Sequence, residues 1–224
     1  MKVLALDTAT TDLVTGIVDT TTGESVDRVV SDTRAHNEQL IPTIEQLLRD
    51  ASLTYPDLSA IVVGTGPGPF TGLRVGMATA SALGVALGLP VHGVCTLDAI
   101  AQGRAGEWLV AIDARRKEVY WATYSEGRRI SGPEVTRPED LTVPAGFSPR
   151  LVFPEAIAPR LPDALAGLPR EWDTPRAAGL VACADLDSEP APLVPLYLRR
   201  PDAKVPQATP RSTALISGTG SSES

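Results

Sequence analysis

Two aspartates stand where acidic side chains could meet in a cleft. Val3-Leu4-Ala5-Leu6-Asp7-Thr8 and Leu109-Val110-Ala111-Ile112-Asp113-Ala114 are each an apolar strand ending in Asp, followed by a turn and a second strand. Self-similarity at this separation points to two lobes of related topology. An Asp at the tip of each lobe's first strand then faces the space between them. There the pair can hold a magnesium ion through water, while turn amides and hydroxyls take phosphate oxygens. The third element is Gly64-Thr65-Gly66-Pro67-Gly68-Pro69-Phe70-Thr71-Gly72-Leu73-Arg74-Val75-Gly76, which joins a buried strand to a helix. Glycine lets backbone amides approach an anion, and a helix start favours negative charge; the same glycines equally suit a tight turn that packs closely. The segment lacks the Gly-Lys-Ser/Thr ending of a Walker A loop and is not a dinucleotide fingerprint. Candidate nucleotide-binding residues are therefore Asp7, Thr8, Gly66, Gly68, Thr71, Arg74, Asp113 and Arg115, with Arg115 either contacting phosphate or pairing with Glu118.

The remaining chemistry-bearing residues are few. The 224-residue chain has two histidines, His36 and His92, in different elements. The first suits a cap or surface position and the second a packed strand. Cys95 and Cys183 are far apart in apolar surroundings and form no CxxC pair, so they read as structural thiols. No Ser sits in a nucleophile-elbow context. Net charge is −7 and the pI about 4.9, a poor balance for gripping a phosphate backbone unaided, because such binding rests on Lys and Arg displacing counterions.

The elements that must position these residues are read from periodicity. Val3–Leu6, Leu13–Val18 and Ser25–Ser31 read as strands joined by polar turns. Leu40, Ile41, Ile44, Leu47, Leu48 and Ala51 form one apolar stripe at helical spacing, with Asn37 or the Ser31–Thr33 hydroxyls as capping candidates and Pro42 in its early part. Ile61–Val63 and Val91–Val94 flank a small-residue helix over Thr71–Leu87, stopped by Pro90; its glycines each cost roughly 1 kcal/mol of propensity, so close helix packing is the expected motive. Trp108–Ile112, Glu118–Tyr124 and Arg128–Ile130 continue the strands. From Pro133 to Pro175 the chain is proline-rich and few elements are legible, until Thr174-Pro175 suggests a cap and first-turn proline before the stripe Ala177, Leu180, Val181, Ala184. Alternating strands and helices make the class α/β. The expected division is 1–103, 104–200 and a Pro/Thr/Ser/Gly-rich tail, 201–224, read as disordered.

Leu4-Ala5-Leu6-Asp7-Thr8, Arg34-Ala35-His36-Asn37-Glu38, Gly66-Pro67-Gly68-Pro69-Phe70-Thr71-Gly72-Leu73-Arg74, Asp113-Ala114-Arg115 and Tyr197-Leu198-Arg199 occur in the order found in the TsaB (YeaZ) family, and the resemblance covers residues 1–200. Pro69 departs from it: the family usually has Ser there, so a hydroxyl and an amide donor are missing from the loop. The resemblance implies a two-lobed actin-like ATPase (ASKHA) fold with a reduced second lobe. It implies a non-catalytic scaffold and dimerisation subunit of the complex that attaches threonylcarbamoyl to the adenosine 3′ of the tRNA anticodon. The implied partners are the catalytic paralogue, TsaD, and the small ATPase, TsaE, with a homodimer formed by the chain alone and tRNA reached only through the complex. The catalytic paralogue carries a metal on a His-x-x-x-His pair, two ligands on one helix face; Thr96 and Ile100 stand at those positions here, so neither metal site nor catalytic residue is expected. No tightly bound cofactor is expected, with ATP or ADP and Mg at the interface of the complex.

The expected partner surface combines Leu40, Ile44, Leu47 and Leu48 of the first helix with Met77, Ala78, Ser81, Ala82 and Val85 of the small-residue helix; facing its mirror or paralogue, it would bury like a domain core. No signal peptide or membrane span is read, and the expected location is cytoplasmic. Two other classes remain: a small-molecule kinase of the actin-like superfamily, and a metal-dependent glycoprotease-like enzyme.

Overall fold

The computed structural model describes residues 1–199; the expected tail, 201–224, lies outside the described residues. β1 (Lys2–Asp7), β2 (Leu13–Asp19) and β3 (Ser25–Val30) form an antiparallel meander. α1 (His36–Asp50) leads to β4 (Ala60–Gly64), and α2 (Phe70–Leu87) leads to β5 (Val91–Val94). β4 joins β1 in parallel and β5 joins β4, giving the order β3-β2-β1-β4-β5. β1 and β4 are covered on both faces, which explains why they read as unbroken apolar runs.

After α3 (Thr96–Ala101), the plan repeats. β6 (Glu107–Asp113), β7 (Val119–Ser125) and β8 (Arg128–Thr136) form a second antiparallel meander. β9 (Arg150–Val152) joins β6 in parallel, and, after the one-turn α4 (Asp163–Ala166), β10 (Arg170–Glu171) joins β9. The order β8-β7-β6-β9-β10 matches that of the first sheet strand for strand. The fold is thus two-lobed α/β of actin-like topology, and the second lobe is reduced: its last strands have three and two residues. These lie in the proline-rich stretch that periodicity could not parse.

Two helices bind the lobes reciprocally. α3 comes after the first sheet but packs on the second, with Leu97, Ile100 and Ala101 among Trp108, Val110, Ile112 and Tyr124. α5 (Ala177–Ala182) comes after the second sheet but packs on the first, with Ala177, Leu180 and Val181 among Val3, Ala5, Val18 and Val62. Its approach requires Gly16, where a Cβ would meet Ala177 Cβ at 2.3 Å. The two helices also touch at Gly179, where a Cβ would meet the Ala99 carbonyl at 2.3 Å.

Several local expectations are corrected. α1 starts after Ala35 without a side-chain cap; the Thr33 hydroxyl instead accepts from the Ala35 amide and donates to Gln39. Pro42 lies in the second turn of α1, and the helix runs on to Asp50. Thr174-Pro175 does not open α5, which begins at Ala177. Its first amide is held by the carboxylate of Asp27 on β3, at 2.7 Å, an acceptor too distant in sequence to be read locally. The α1 stripe Leu40, Ile44, Leu47 and Leu48 is buried in its own lobe with Leu4, Leu6, Ile61 and Val63. It is not open to a partner, because a lone sheet face must be covered by its own helices. Met77 is buried with it. On α2, Leu73, Gly76, Met77, Ala80 and Gly84 face inward, while Ala78, Ser81, Ala82 and Val85 remain exposed. By length and composition alone α2 is apolar enough to cross a membrane.

Candidate functional site in the cleft between the lobes

The two strand tips begin alike. Asp7 Oδ1 accepts the Ala9 amide at 2.7 Å, and Asp113 Oδ1 accepts the Arg115 amide at 2.8 Å. In both lobes the carboxylate bonds the backbone two residues on, a local turn that Asp favours. Their surroundings then diverge. Asp7 has no solvent exposure, and its Oδ2 accepts the Thr96 hydroxyl at 2.6 Å. Gly64 makes room for it, since a Cβ there would stand 1.7 Å from Asp7 Oδ2. Burial pushes the Asp7 carboxyl up to about 6, against the opposing hydrogen bonds from Thr96 and Ala9. Asp113 is exposed and lines the cleft. The expected magnesium-holding pair is therefore not assembled: one carboxylate faces the cleft and the other is turned inward onto α3.

The glycine-rich loop packs against the same tip. Cβ atoms at Gly68, Gly72 and Gly76 would stand 2.5, 2.4 and 2.4 Å from the Ala9 carbonyl, the Thr8 carbonyl and the Thr8 hydroxyl. That hydroxyl donates to the Gly72 carbonyl at 2.7 Å. Gly66 adopts φ +101°, which favours glycine. Close approach of chain to chain accounts for the motif's glycines.

The cleft has a volume of about 1140 Å³. Of the candidate residues, Thr8, Gly68, Thr71, Asp113 and Arg115 line it, while Asp7, Gly66 and Arg74 do not. The Arg74 guanidinium instead lies 4.4 Å from the Phe70 ring centroid, and Phe70 stacks on Tyr197 at 5.2 Å. The Tyr197-Leu198-Arg199 motif straps the lobes together. The Leu196 amide donates to the Thr65 carbonyl at 2.8 Å, and Arg199 donates to the Ala114 carbonyl at 3.4 Å. Glu118 pairs with Arg199, so the pairing considered between Glu118 and Arg115 is replaced by a longer-range one.

Arg34, His36, Arg116 and Tyr120 also line the cleft. Sequence reasoning did not place them among the nucleotide-binding candidates, although Arg34 and His36 belong to one of the family motifs. His36 is half-buried with an unpartnered, buried Nε2. Burial lowers its pKa more than the neighbouring Thr10 and Asp12 carbonyls raise it. His92 is buried in β5, with its Nε2 also unpartnered. At the positions compared with a metal-binding histidine pair, the Thr96 hydroxyl is committed to Asp7 and Ile100 is buried in the core of the second lobe.

A family model described as TsaD: tRNA N6-adenosine threonylcarbamoyltransferase matches residues 27–156. YeaZ from Pseudomonas aeruginosa superposes with a TM-score of 0.75 at 28% identity, covering 88% of this chain and 99% of that one. The tRNA threonylcarbamoyladenosine biosynthesis protein TsaB of Escherichia coli is 36% identical over 129 residues, 55% of either chain. The chain belongs to the TsaB (YeaZ) family. An uncharacterised Mycobacterium tuberculosis protein is 52% identical over 207 residues, covering 90% of this chain and 93% of that one. The similarity to TsaB of E. coli spans about half of each protein.

Proposed function

We propose that this chain is a non-catalytic scaffold and dimerisation subunit in tRNA threonylcarbamoyladenosine formation, required by a TsaD-type catalytic subunit. The observation that carries the reading is the outer face of α2. Ala78, Ser81, Ala82 and Val85 are exposed on an apolar helix, and Val85 is 87% exposed. Small side chains along one face let a second helix approach closely, and an apolar patch of this kind marks an interaction surface. The α1 stripe supports the face from below rather than forming part of it. In this reading the chain alone pairs with a second copy through the same face, a TsaE-type ATPase joins the complex, and tRNA is reached through the partners. The chain works in the cytoplasm. It holds no cofactor tightly by itself, and ATP or ADP with Mg binds where the subunits meet. The inward turn of Asp7 onto Thr96 weighs against a kinase that holds magnesium between two lobe-tip carboxylates.

Ala82→Arg tests the assignment. The side chain is exposed, so folding should change by no more than about 0.5 kcal/mol, while a long charged group blocks close helix packing. The variant is expected to unfold like the parent and fail to co-purify with the TsaD-type subunit of the same organism. Undiminished co-purification would show that α2 is not the pairing face.

A further inference from the structure

We propose that Ala214-Leu215-Ile216 of this chain docks on the outer face of α2 and covers it while no partner is bound. The inference rests on the reading of α2 as a contact surface and adds what occupies that surface in the free chain. Phe70, Arg74, Ala78, Ser81, Ala82 and Val85 are exposed at helical spacing, so they share one face along the length of α2. No charged residue occurs between Val75 and Pro90. Phe70 is 48% exposed and Val85 87%. An apolar strip of this length is stabilised by being covered, and the small residues at its centre let another backbone come close.

The end of the described chain is anchored at one end of this face. Tyr197 stacks on Phe70, the first residue of α2, at 5.2 Å. Leu198 packs on the core of the second lobe, and Arg199 is held by the Ala114 carbonyl and Glu118. The residues after Arg199 therefore start beside the N-terminal end of α2.

Their composition names the covering segment. Leu215 and Ile216 are the only Leu or Ile after Arg199, and with Ala214 they form the one run of three apolar residues there. The run stands 15 to 17 residues beyond Arg199, a reach of up to about 50 Å. From Phe70 to Val85 the helix rises only about 22 Å. The segment thus reaches every part of the face, and the tether presents it at an effective concentration on the order of millimolar. A contact too weak to hold a separate peptide then holds this one. Charge favours the same placement. Lys204 and Arg211 are the charged residues between Asp202 and Ile216, while residues 1–103 carry 11 Asp and Glu against 5 Lys and Arg.

Thiol labelling of Ser81→Cys in the full chain measures the cover. The change is nearly isosteric at an exposed position. The native Cys95 and Cys183 are half-buried, with thiols pushed up to about 11 and about 12 by burial, so they react slowly. Adding Leu215→Ser and Ile216→Ser is expected to speed maleimide labelling at position 81 about fivefold, the face being free about a fifth of the time with the native tail. The native-tail rate should not depend on protein concentration, and circular dichroism should show both proteins folded alike. Equal rates with and without the tail substitutions would overturn the proposal. So would labelling that slows with rising protein concentration to the same extent in both proteins, because a second copy would then be the cover. The tail-substituted chain should also bind the TsaD-type subunit about fivefold more tightly, its competitor having been removed. Ala82→Arg keeps the two readings apart. If it leaves co-purification intact while the labelling difference persists, the tail covers α2 but α2 is not the pairing face, and only the scaffold reading fails.

Discussion

The tips of β1 and β6 occupy equivalent places in two sheets of identical strand order, and each ends in an Asp that bonds the amide two residues on. One is sealed under α3 and the glycine-rich loop; the other opens to the cleft. The difference arises from the segments packed over each tip. β4 ends in Gly64, and α3 brings Thr96 over the first tip. In the second lobe the strained Arg115–Lys117 turn leaves Asp113 uncovered. The duplicated architecture is therefore symmetric in its backbone and asymmetric in its chemistry, one carboxylate lying in the core and the other lining the cleft.

The asymmetry between the tips can be broken most readily with pH. The folded-state pKa of Asp7 is raised to about 6 from 3.8, so between these values the native chain holds a proton that the unfolded chain releases. Its contribution to stability must therefore fall as pH rises from about 4 to 6, and be most unfavourable above 6. Relative to Asp7→Asn, which lacks this titration, the parent should gain up to about 3 kcal/mol between pH 7 and pH 4. Urea unfolding of both proteins at each pH measures the difference, and parallel pH curves would mean that Asp7 is not sealed. Asp7→Ala should have the next largest effect, about 2 kcal/mol at pH 7, because the Thr96 hydroxyl and Ala9 amide lose their buried acceptor. Asp113→Ala should cost less than about 1 kcal/mol, since water can replace an exposed carboxylate at the Arg115 amide. Equal losses at the two tips would erase the proposed asymmetry.

Much of the fold was legible. Strands of both meanders, α1, α2 and β4 are recovered from periodicity, and the two apolar runs ending in Asp foretold the repeated topology. The features that escaped were non-local. The apolar stripe Leu40–Leu48 announces a buried face but not what buries it, and its own sheet does so. Nothing near Asp7 in sequence indicates that Thr96 will reach it, and nothing near Ala177 indicates that Asp27 will hold its amide. The short β9 and β10 lack enough residues to show alternation. In the site, Gly68 lines the cleft and Gly66 does not, and the tight contacts of Gly68, Gly72 and Gly76 are to Thr8 and Ala9.

The most direct test of the central claim is transfer of threonylcarbamoyl to tRNA by the TsaD-type and TsaE-type proteins of the same organism, with and without this chain. The scaffold reading predicts that transfer requires the chain, that the chain alone modifies nothing, and that Ala82→Arg fails to restore activity. Full transfer by the other two proteins alone, or modification by this chain alone, would contradict it.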